Sequence, residues 1–405
     1  MGALDHLKVL DLSRVLAGPW CGQILADLGA EVIKVERPGA GDDTRTWGPP
    51  WMKDETGADT REAAYFMSAN RGKKSVTLDI SKPAGQDIVK RLAQRADVLL
   101  ENYKVGGLRQ YGLDYESLAK LNPRLIYCSV TGFGQTGPYA PRAGYDFIIQ
   151  GLGGLMSITG ERDDLPGGGP QKVGVAVADL MTGMYATVGV LAALAEREKS
   201  GFGQHVDMAL LDTQVAMTAN MAMNYLASGK PPVRAGNAHP NIVPYQTFAA
   251  ADGHIIVAVG NDGQFAKLCE IAGAPELATD QRFATNPMRV KNRATLVTLL
   301  AERVARRPMR FWSDALEAVG VPCGPINDIG QAFADPHVQH RGMRIELPHP
   351  TAGTVPLVAS PIKLSRTPVE HRAAPPLLGQ HTDEVLAGIG LNEQAIAALR
   401  TQGVV

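Results

Sequence analysis

Cysteine is scarce in this chain of 405 residues, and charge of one sign does not dominate. The four cysteines form no CxxC pair and stand beside no group of histidines, so neither a disulfide framework nor a zinc site is indicated. They are Cys21, Cys128, Cys269 and Cys323. Because 40 Lys and Arg balance 41 Asp and Glu to a net charge of -1, nothing favours binding to nucleic acid or to an anionic membrane.

Several motifs of nucleotide-binding and hydrolytic enzymes are also missing. The first strand-to-helix turn has a single glycine, Gly18, where a dinucleotide-binding protein would have G-x-G-x-x-G. No GxxxxGK[ST], HExxH or GxSxG sequence occurs, so P-loop, zinc-protease and α/β-hydrolase chemistry are not supported. The N-terminus has no basic region followed by an apolar stretch, so no signal peptide is predicted and a cytoplasmic enzyme is expected.

One long apolar run is present, and it contains a single charged residue. Between Val173 and Ala195 only Asp179 is charged. The run is long enough to cross a bilayer, but an aspartate inside a membrane span is costly and no second span accompanies it. We therefore predict a buried helix, preceded by the strand-like alternation KVGVAVA. This pattern places Asp179 at the N-cap, where a carboxylate either satisfies free backbone N–H groups or acts as a nucleophile.

Strand and helix patterns alternate through the first third of the chain. Buried-strand patterns occur at residues 6–13, 30–36, 74–81, 96–103 and 124–130. Such alternation predicts an α/β fold with a parallel, Rossmann-like sheet. After a stretch rich in Pro, Gly and Asn, a hairpin around Asp252 and Gly253 and further helices predict a smaller α+β domain. We predict a large domain, a small domain and a C-terminal segment returning to the large domain, at 1–229, 230–330 and 331–405.

Seven stretches of the chain resemble, in order, one known enzyme family. They are LKVLDLSRVLAGPWCGQILADLGAEVIKVERPGAGDDTR, NRGKKSVTLDI, ADVLLENYKVGGLRQYGLDYE, SVTGFGQTGPYAPRAGYDF, VAVADLMTGMYA, NIVPYQTFAAADGHIIVAVGN and PPLLGQHTDEVL. They resemble the class III CoA-transferases, also called the formyl-CoA transferase family. The segments RAGYDFIIQ, AHPNIVPYQTF and GPINDI are most similar to the type that moves CoA from succinyl-CoA to glutarate. The resemblance covers essentially the whole chain and implies the interlocked-dimer fold of CoA-transferase family III.

The resemblance implies a covalent mechanism at Asp179. In the family, an aspartate at this position attacks the acyl-CoA carbonyl, forms an anhydride and then carries CoA as an aspartyl thioester. The expected donor is succinyl-CoA, and the expected acceptor is a dicarboxylate such as glutarate. Because acyl-CoA is itself the substrate, no metal and no tightly bound cofactor are expected.

The resemblance also implies binding positions for CoA and for the acceptor acid. The CoA-binding positions are Leu16, Ala17, Arg37, Leu78, Asp79, Ile80, Ser81, Asn102, Tyr103, Lys104, Arg109, Thr131, Gly132, Phe133 and Gly134. The candidates on the acceptor side are Arg45, Arg71, Tyr145 and His239, with Gly260 and Gly263 in a loop that would close over the intermediate. Two positions depart from the family. A basic residue found in relatives at the place of Gln110 is displaced to Arg109, and Thr131 stands where formyl-CoA transferases have lysine.

Two alternatives to acyl transfer stay open. The α-methylacyl-CoA racemases share the fold and pair the aspartate with a histidine in an AGHD segment, whereas this chain has AGYD with Tyr145. A phenol with a pKa of about 10 is a poorer base near neutrality than an imidazole with a pKa of about 6.5, so the substitution argues against racemisation. The second alternative is a CoA-binding protein in which Asp179 is inert.

Overall fold

The structure is a computed structural model that describes residues 2–405. Its strands are β1 (Lys8–Asp11), β2 (Glu31–Glu36), β3 (Trp51–Lys53), β4 (Asp59–Ala63), β5 (Lys73–Thr77), β6 (Val98–Glu101), β7 (Ile126–Thr131), β8 (His205–Ala209), β9 (Tyr245–Ala250), β10 (Gly253–Ala258), β11 (Cys323–Pro325), β12 (Arg344–His349) and β13 (Gly353–Val358). Its α-helices are α1 (Ala17–Asp27), α2 (Ala64–Ser68), α3 (Pro83–Ala93), α4 (Tyr115–Leu121), α5 (Asp146–Leu152), α6 (Leu155–Ile158), α7 (Val177–Ser200), α8 (Leu210–Met217), α9 (Ala219–Ser228), α10 (Asp262–Ile271), α11 (Glu276–Thr279), α12 (Asn286–Lys291), α13 (Arg293–Val304), α14 (Met309–Ala318), α15 (Ile329–Ala334), α16 (Pro336–His340), α17 (Thr382–Gly388) and α18 (Glu393–Thr401).

The chain forms two compact units. The first contains the chain up to Leu155, Val173–Ser228 and Pro336–Val405, and the second contains Met156–Lys172 and Gly229–Asp335. The segment Met156–Lys172 thus groups with the second unit, although the sequence analysis placed it in the large domain. The domain boundaries predicted at 229 and 330 stay a prediction.

A six-stranded parallel sheet forms the centre of the first unit, in the order β5-β2-β1-β6-β7-β8. Val9 of β1 pairs with Val32 on one side and with Val98 on the other. From β1 the chain continues to β2 on one side, and from β6 it continues to β7 on the other, so the strand order reverses between β1 and β6. Open α/β sheets bind ligands at such a switch point, outside the carboxyl ends of the strands. The predicted Rossmann-like parallel sheet is confirmed.

Successive residues of the central strands enter two different cores, one on each face of the sheet. Leu10 packs with residues of α3, α4, α17 and α18, whereas Val9 packs with residues of α1 and α7. Because helices cover both faces, consecutive residues of a central strand are buried, as Val9 and Leu10 of β1 and Leu99 and Leu100 of β6 are. The C-terminal segment contributes Val385 and Ile396 to the first of these cores.

The apolar run of the sequence forms α7. By length and composition α7 is the one helix within residues 2–405 that qualifies as a membrane span, yet Ala186 and Val190 are fully buried in the sheet core. Two details of the prediction are wrong. Residues 172–176 form no strand, and the backbone N–H of Val173 bonds to the side chain of Gln150. The N-cap is Ala176, so Asp179 lies in the first turn of the helix.

The second unit contains an antiparallel sheet in the order β11-β10-β9. Its hairpin turns between Ala250 and Gly253, which confirms the hairpin predicted around Asp252. Helices α10, α13 and α14 cover the sheet with a core that includes Phe265, Leu296 and Trp312. This unit therefore has the α+β character expected from the sequence.

Candidate active site

A cleft of about 200 Å³ lies at the carboxyl ends of β1, β6 and β7 in the first unit. The turn after β1, the segment after β6 and the loop after β7 form its walls, and Asp179 of α7 also lines it. This is the switch point of the sheet, where the fold predicts a ligand. The expected CoA-binding residues that line the cleft are Leu16, Ala17, Asn102, Tyr103, Lys104, Thr131 and Gly132.

Several expected CoA-binding residues lie outside the lining of this cleft. Arg37 is exposed after β2, and Leu78 is buried in the core. The N–H of Asp79 bonds to the carbonyl of Val404, and the turn continues through Ile80 and Ser81. For these residues, contact with CoA stays a prediction.

Three further expected residues lie close to the cleft. Arg109 lines a neighbouring cavity and makes ion pairs with Asp114 and Glu116. Phe133 is partly buried and packs against the core that contains residues of α1 and α7, and the N–H of Gly134 bonds to Oγ1 of Thr131. Their contact with CoA also stays a prediction.

Asp179 is half-buried, and its carboxyl group is a weaker acid than an ordinary aspartate. Burial, and second the negative charge of Asp146, raise the pKa of Asp179 to about 7. Near neutral pH the group is therefore divided between its acid and its anion, and the anion is poorly hydrated. A poorly hydrated carboxylate is a stronger nucleophile toward a carbonyl carbon than a solvated one. The nearby phenol of Tyr65 responds to the same charges, since burial, Asp179 and Asp146 raise the pKa of Tyr65.

Asp146 holds the beginning of α7 in place. One of its carboxylate oxygens accepts the N–H of Ala178 at 2.8 Å, and the other accepts Nε2 of Gln150 at 2.7 Å. Gln150 is fully buried, and its own carbonyl oxygen accepts the N–H of Val173 at 2.9 Å. No side chain of α7 caps the helix, so the capping carboxylate predicted at Asp179 comes from Asp146 of α5. Sequence analysis missed this residue, whose only signal was its position in the AGYD segment.

Two glycines allow the walls of the cleft to approach one another. Gly183, one turn after Asp179, packs on the first turn of α1, and a Cβ there would lie 2.7 Å from the carbonyl oxygen of Ala17. Gly132 packs on Gly144, and a Cβ on Gly132 would lie 2.6 Å from the Cα of Gly144. Both neighbours are backbone atoms, which cannot move aside as a flexible side chain does. These contacts bring the first turns of α7 close to the turn after β1, and they bring the start of the loop after β7 close to its end before α5.

The acceptor candidates of the first unit occupy different environments. Arg45 is buried and bonds to both carboxylate oxygens of Glu36, at 2.7 and 2.8 Å. Arg71 is also buried and bonds to both oxygens of Asp27. Neither arginine lines the cleft, and each already neutralises a buried carboxylate, so the geometry favours a structural role for both. Tyr145 does line the cleft, and 64% of its surface is exposed.

The remaining acceptor candidates lie in the second unit. The ring of His239 packs on Tyr245, and its Nδ1 accepts the N–H of Asn241. The N–H of Gly260 bonds to the side chain of Gln264, and Gly263 lies in the first turn of α10. A role of these residues at the acceptor stays a prediction.

Over residues 2–405 no three His, Cys, Asp or Glu side chains are arranged to hold a metal ion. The expectation that no metal or tightly bound cofactor takes part is not tested by this finding and stays a prediction.

A half-buried carboxyl group with a raised pKa, in a cleft at the switch point of a Rossmann-like sheet, is suited to acyl transfer. Comparison with known proteins agrees: the model of CoA-transferase family III matches residues 4–382. The chain belongs to this family and is an enzyme of this class.

The chain is similar over nearly its full length to proteins of this family. It is 53% identical to the succinate–glutarate CoA-transferase of Agrobacterium fabrum, with 95% of each chain covered. It is 45% identical to the human succinyl-CoA:glutarate CoA-transferase, with 99% of this chain and 90% of the human protein covered. The crystal structure of a CAIB/BAIF family protein from Brucella suis superposes with a TM-score of 0.83 at 52% identity, covering 96% of this chain and 99% of that one.

Proposed function

We propose that this enzyme transfers CoA from succinyl-CoA to glutarate, with Asp179 as the covalent carrier. The observation that carries the proposal is the poorly hydrated carboxylate of Asp179 in the cleft at the switch point. The choice of substrates is supported by the similarity to the enzymes of Agrobacterium fabrum and human, which are named for this pair.

The proposed reaction proceeds through three covalent intermediates. The Asp179 carboxylate attacks the thioester carbonyl of succinyl-CoA, which gives a succinyl–aspartyl anhydride and CoA thiolate. The thiolate attacks the aspartyl carbonyl, releases succinate and leaves CoA bound to Asp179 as a thioester. A carboxylate of glutarate then attacks this thioester, which gives a glutaryl–aspartyl anhydride and CoA thiolate. The thiolate finally attacks the glutaryl carbonyl, and glutaryl-CoA leaves with Asp179 restored.

The surroundings of Asp179 suit these intermediates. Anhydrides and activated thioesters react with water, so the carrier requires a site from which water is largely excluded. The close backbone contacts at Gly183 and Gly132 narrow the space around the carboxylate. Each step exchanges a carboxylate for a thiolate or the reverse, so no net proton transfer is required.

The acceptor is tested by competition among acids. Succinyl-CoA is incubated with glutarate, oxalate, mesaconate, malate and carnitine, and the new CoA esters are identified by mass spectrometry. We expect glutaryl-CoA to form fastest, because glutarate is the acceptor in the names of the most similar relatives reported above. Parallel incubation of a 2-methylacyl-CoA in deuterated water serves as the control. Deuterium incorporation without any new CoA ester would replace the transferase proposal by the racemase alternative.

We also propose that the enzyme is a homodimer, of the interlocked kind expected from the family. In the first unit, the neighbouring helices α5, α7, α8 and α9 expose many large apolar side chains, and an apolar patch of this extent on a soluble protein indicates an interface. They are Phe147, Ile148, Leu152, Met184, Tyr185, Val188, Val215, Met223, Tyr225 and Leu226. We expect light scattering to give twice the mass of the chain at micromolar concentration. A single monomeric species would contradict the proposal.

We place the enzyme in the cytoplasm. All four cysteines are free thiols, and three of them are buried. Free thiols persist in a reducing compartment, which supports this location.

A further inference from the structure

Val15 has an unusual backbone conformation in the wall of the cleft. Its φ is +71°, and within residues 2–405 the only other non-glycine residue with positive φ is Ala219. A β-branched side chain is strained in this left-handed region. Val15 lines the same cleft as Asp179. Strained backbone persists only where surrounding contacts enforce it, and it concentrates at functional sites.

Asn102 holds the peptide groups on both sides of Arg14. Its amide oxygen accepts the N–H of Arg14 at 2.9 Å, and its amide nitrogen donates to the carbonyl of Arg14 at 2.6 Å. This pair of hydrogen bonds ties the turn after β1 to the segment after β6. Since the side-chain amide is engaged at both ends, Asn102 is best placed to act through the turn.

Asp42 holds the strained residue itself. Its carboxylate accepts the N–H of Val15 at 3.2 and 3.3 Å. Asp42 is buried and forms an ion pair of 2.8 Å with Lys34, which is also buried. Lys34 in turn donates to the carbonyl of Ser13 at 2.8 Å. The side chains of Lys34, Asn102 and Asp42 therefore bind backbone groups of three consecutive residues, Ser13, Arg14 and Val15.

We propose that Asn102, together with Asp42, is a positioning residue that holds the Ser13–Val15 turn, with Val15 in its left-handed conformation. The cleft wall is thereby preformed for the acyl-CoA thioester, which then need not order the turn on binding. This inference rests on the proposed function, in which acyl-CoA occupies the cleft. It assigns Asn102 a role that differs from the direct contact with CoA expected from the family.

The first test compares two asparagines that make similar hydrogen bonds. In the variant Asn102→Ala, we expect the KM for succinyl-CoA to rise about 10-fold, while kcat changes much less, because a preformed wall contributes to binding in every step. Asn122 is the matched control, since its side chain bonds to the carbonyls of Ala93 and Ala96 and to the N–H of Arg124 outside the cleft lining. Asn122→Ala should lower the melting temperature without changing KM. An unchanged KM in Asn102→Ala would overturn the proposal.

The second test separates positioning from direct contact. Glycine adopts positive φ without steric cost, so Val15→Gly reduces the strain that Asn102 must hold. We expect Asn102→Ala to raise KM less in the Val15→Gly background than in the wild type, which makes the two effects non-additive. If Asn102 instead contacts CoA directly, its substitution will raise KM by the same factor in both backgrounds, and the proposal fails.

An alternative variant and a measurement of CoA binding complete the test of Asn102. If Asn102→Ala does not fold, Asn102→Asp replaces it. Aspartate still accepts the N–H of Arg14, but it has no N–H to donate to the carbonyl of Arg14, and its second oxygen repels that carbonyl oxygen. The Kd of free CoA is measured by calorimetry for all variants. A wild-type enzyme that binds CoA but transfers it to no acid would refute the proposed function alone, while the Kd values would still decide the role of Asn102.

Discussion

Replacing Asp179 by Asn is expected to abolish CoA transfer, with kcat lowered by about 10⁴-fold or more, as for other enzymes that lose their nucleophile. The asparagine has nearly the same shape but cannot form the anhydride or the thioester. The variant should still bind CoA, since the walls of the cleft do not depend on the carboxylate. Formation of glutaryl-CoA, followed by chromatography, and the Kd of CoA measure the two properties separately.

Stability serves as the control for this variant. Because the fold raises the pKa of Asp179 from 3.8 to about 7, the folded state loses stability as pH rises from about 4 to about 7 and this carboxyl group ionises. Asparagine removes that loss, so the melting temperature of the variant at pH 8 should equal or exceed that of the wild type.

Hydroxylamine added with succinyl-CoA should inactivate the wild type and modify Asp179. Transfer by Asp179→Asn at the wild-type rate would contradict the covalent mechanism, as would an unmodified Asp179 peptide.

Replacing Asp146 by Asn is expected to shift the pH dependence of kcat/KM for succinyl-CoA. The wild type should lose activity below about pH 7, because the nucleophile must be ionised and its pKa is about 7. Removing the charge of Asp146 lowers the pKa of Asp179, so the acidic limb should move to lower pH. Burial, the larger cause of the raised pKa, remains and prevents a return to 3.8.

Comparison with Asp146→Ala separates the charge of Asp146 from its hydrogen bonds. Alanine also removes the acceptor for the N–H of Ala178 and leaves Nε2 of the buried Gln150 unpaired, so kcat should fall by a further 10- to 100-fold or so, as misplaced catalytic groups cause. Asp212→Asn, an exposed change in the first turn of α8, is the control and should leave the limb unchanged. If the acidic limb of kcat/KM does not move in Asp146→Asn, this limb reports the ionisation of a group other than Asp179. Glu101 is the first such group to examine, since burial raises its pKa to about 7.

The parts of the fold that follow local patterns were predictable. The strands that became β1, β2, β6 and β7 are short segments rich in Val, Ile and Leu, separated by helical patterns, and such segments are typical of a sheet covered on both faces. Asp179 stood out because it is the single charge in an apolar stretch, and the resemblance to a family implied the role proposed for it. The strand assigned before α7 and the N-cap assigned to Asp179 failed for one reason: the groups that bond to this segment come from α5.

The two arginines expected at the acceptor also show what a local sequence pattern does not specify. Arg45 and Arg71 were reasonable candidates for a carboxylate of the acceptor, because a planar guanidinium pairs with any carboxylate in two places. The structure pairs them with Glu36 and Asp27 instead. Their residue type was informative about the chemistry they perform, but not about the partner.

The amino-acid sequence by itself determined the parallel α/β architecture, the apolar helix and the presence of one carboxylate within it. These depend on residue type and on periodicity within a few turns or strands. Only the tertiary structure decided that Asp146 caps α7 and raises the pKa of Asp179, and that Asn102 and Asp42 hold Val15 in a strained turn. Such contacts join residues far apart in the chain, and they are set by how helices and sheet pack, which no local pattern specifies.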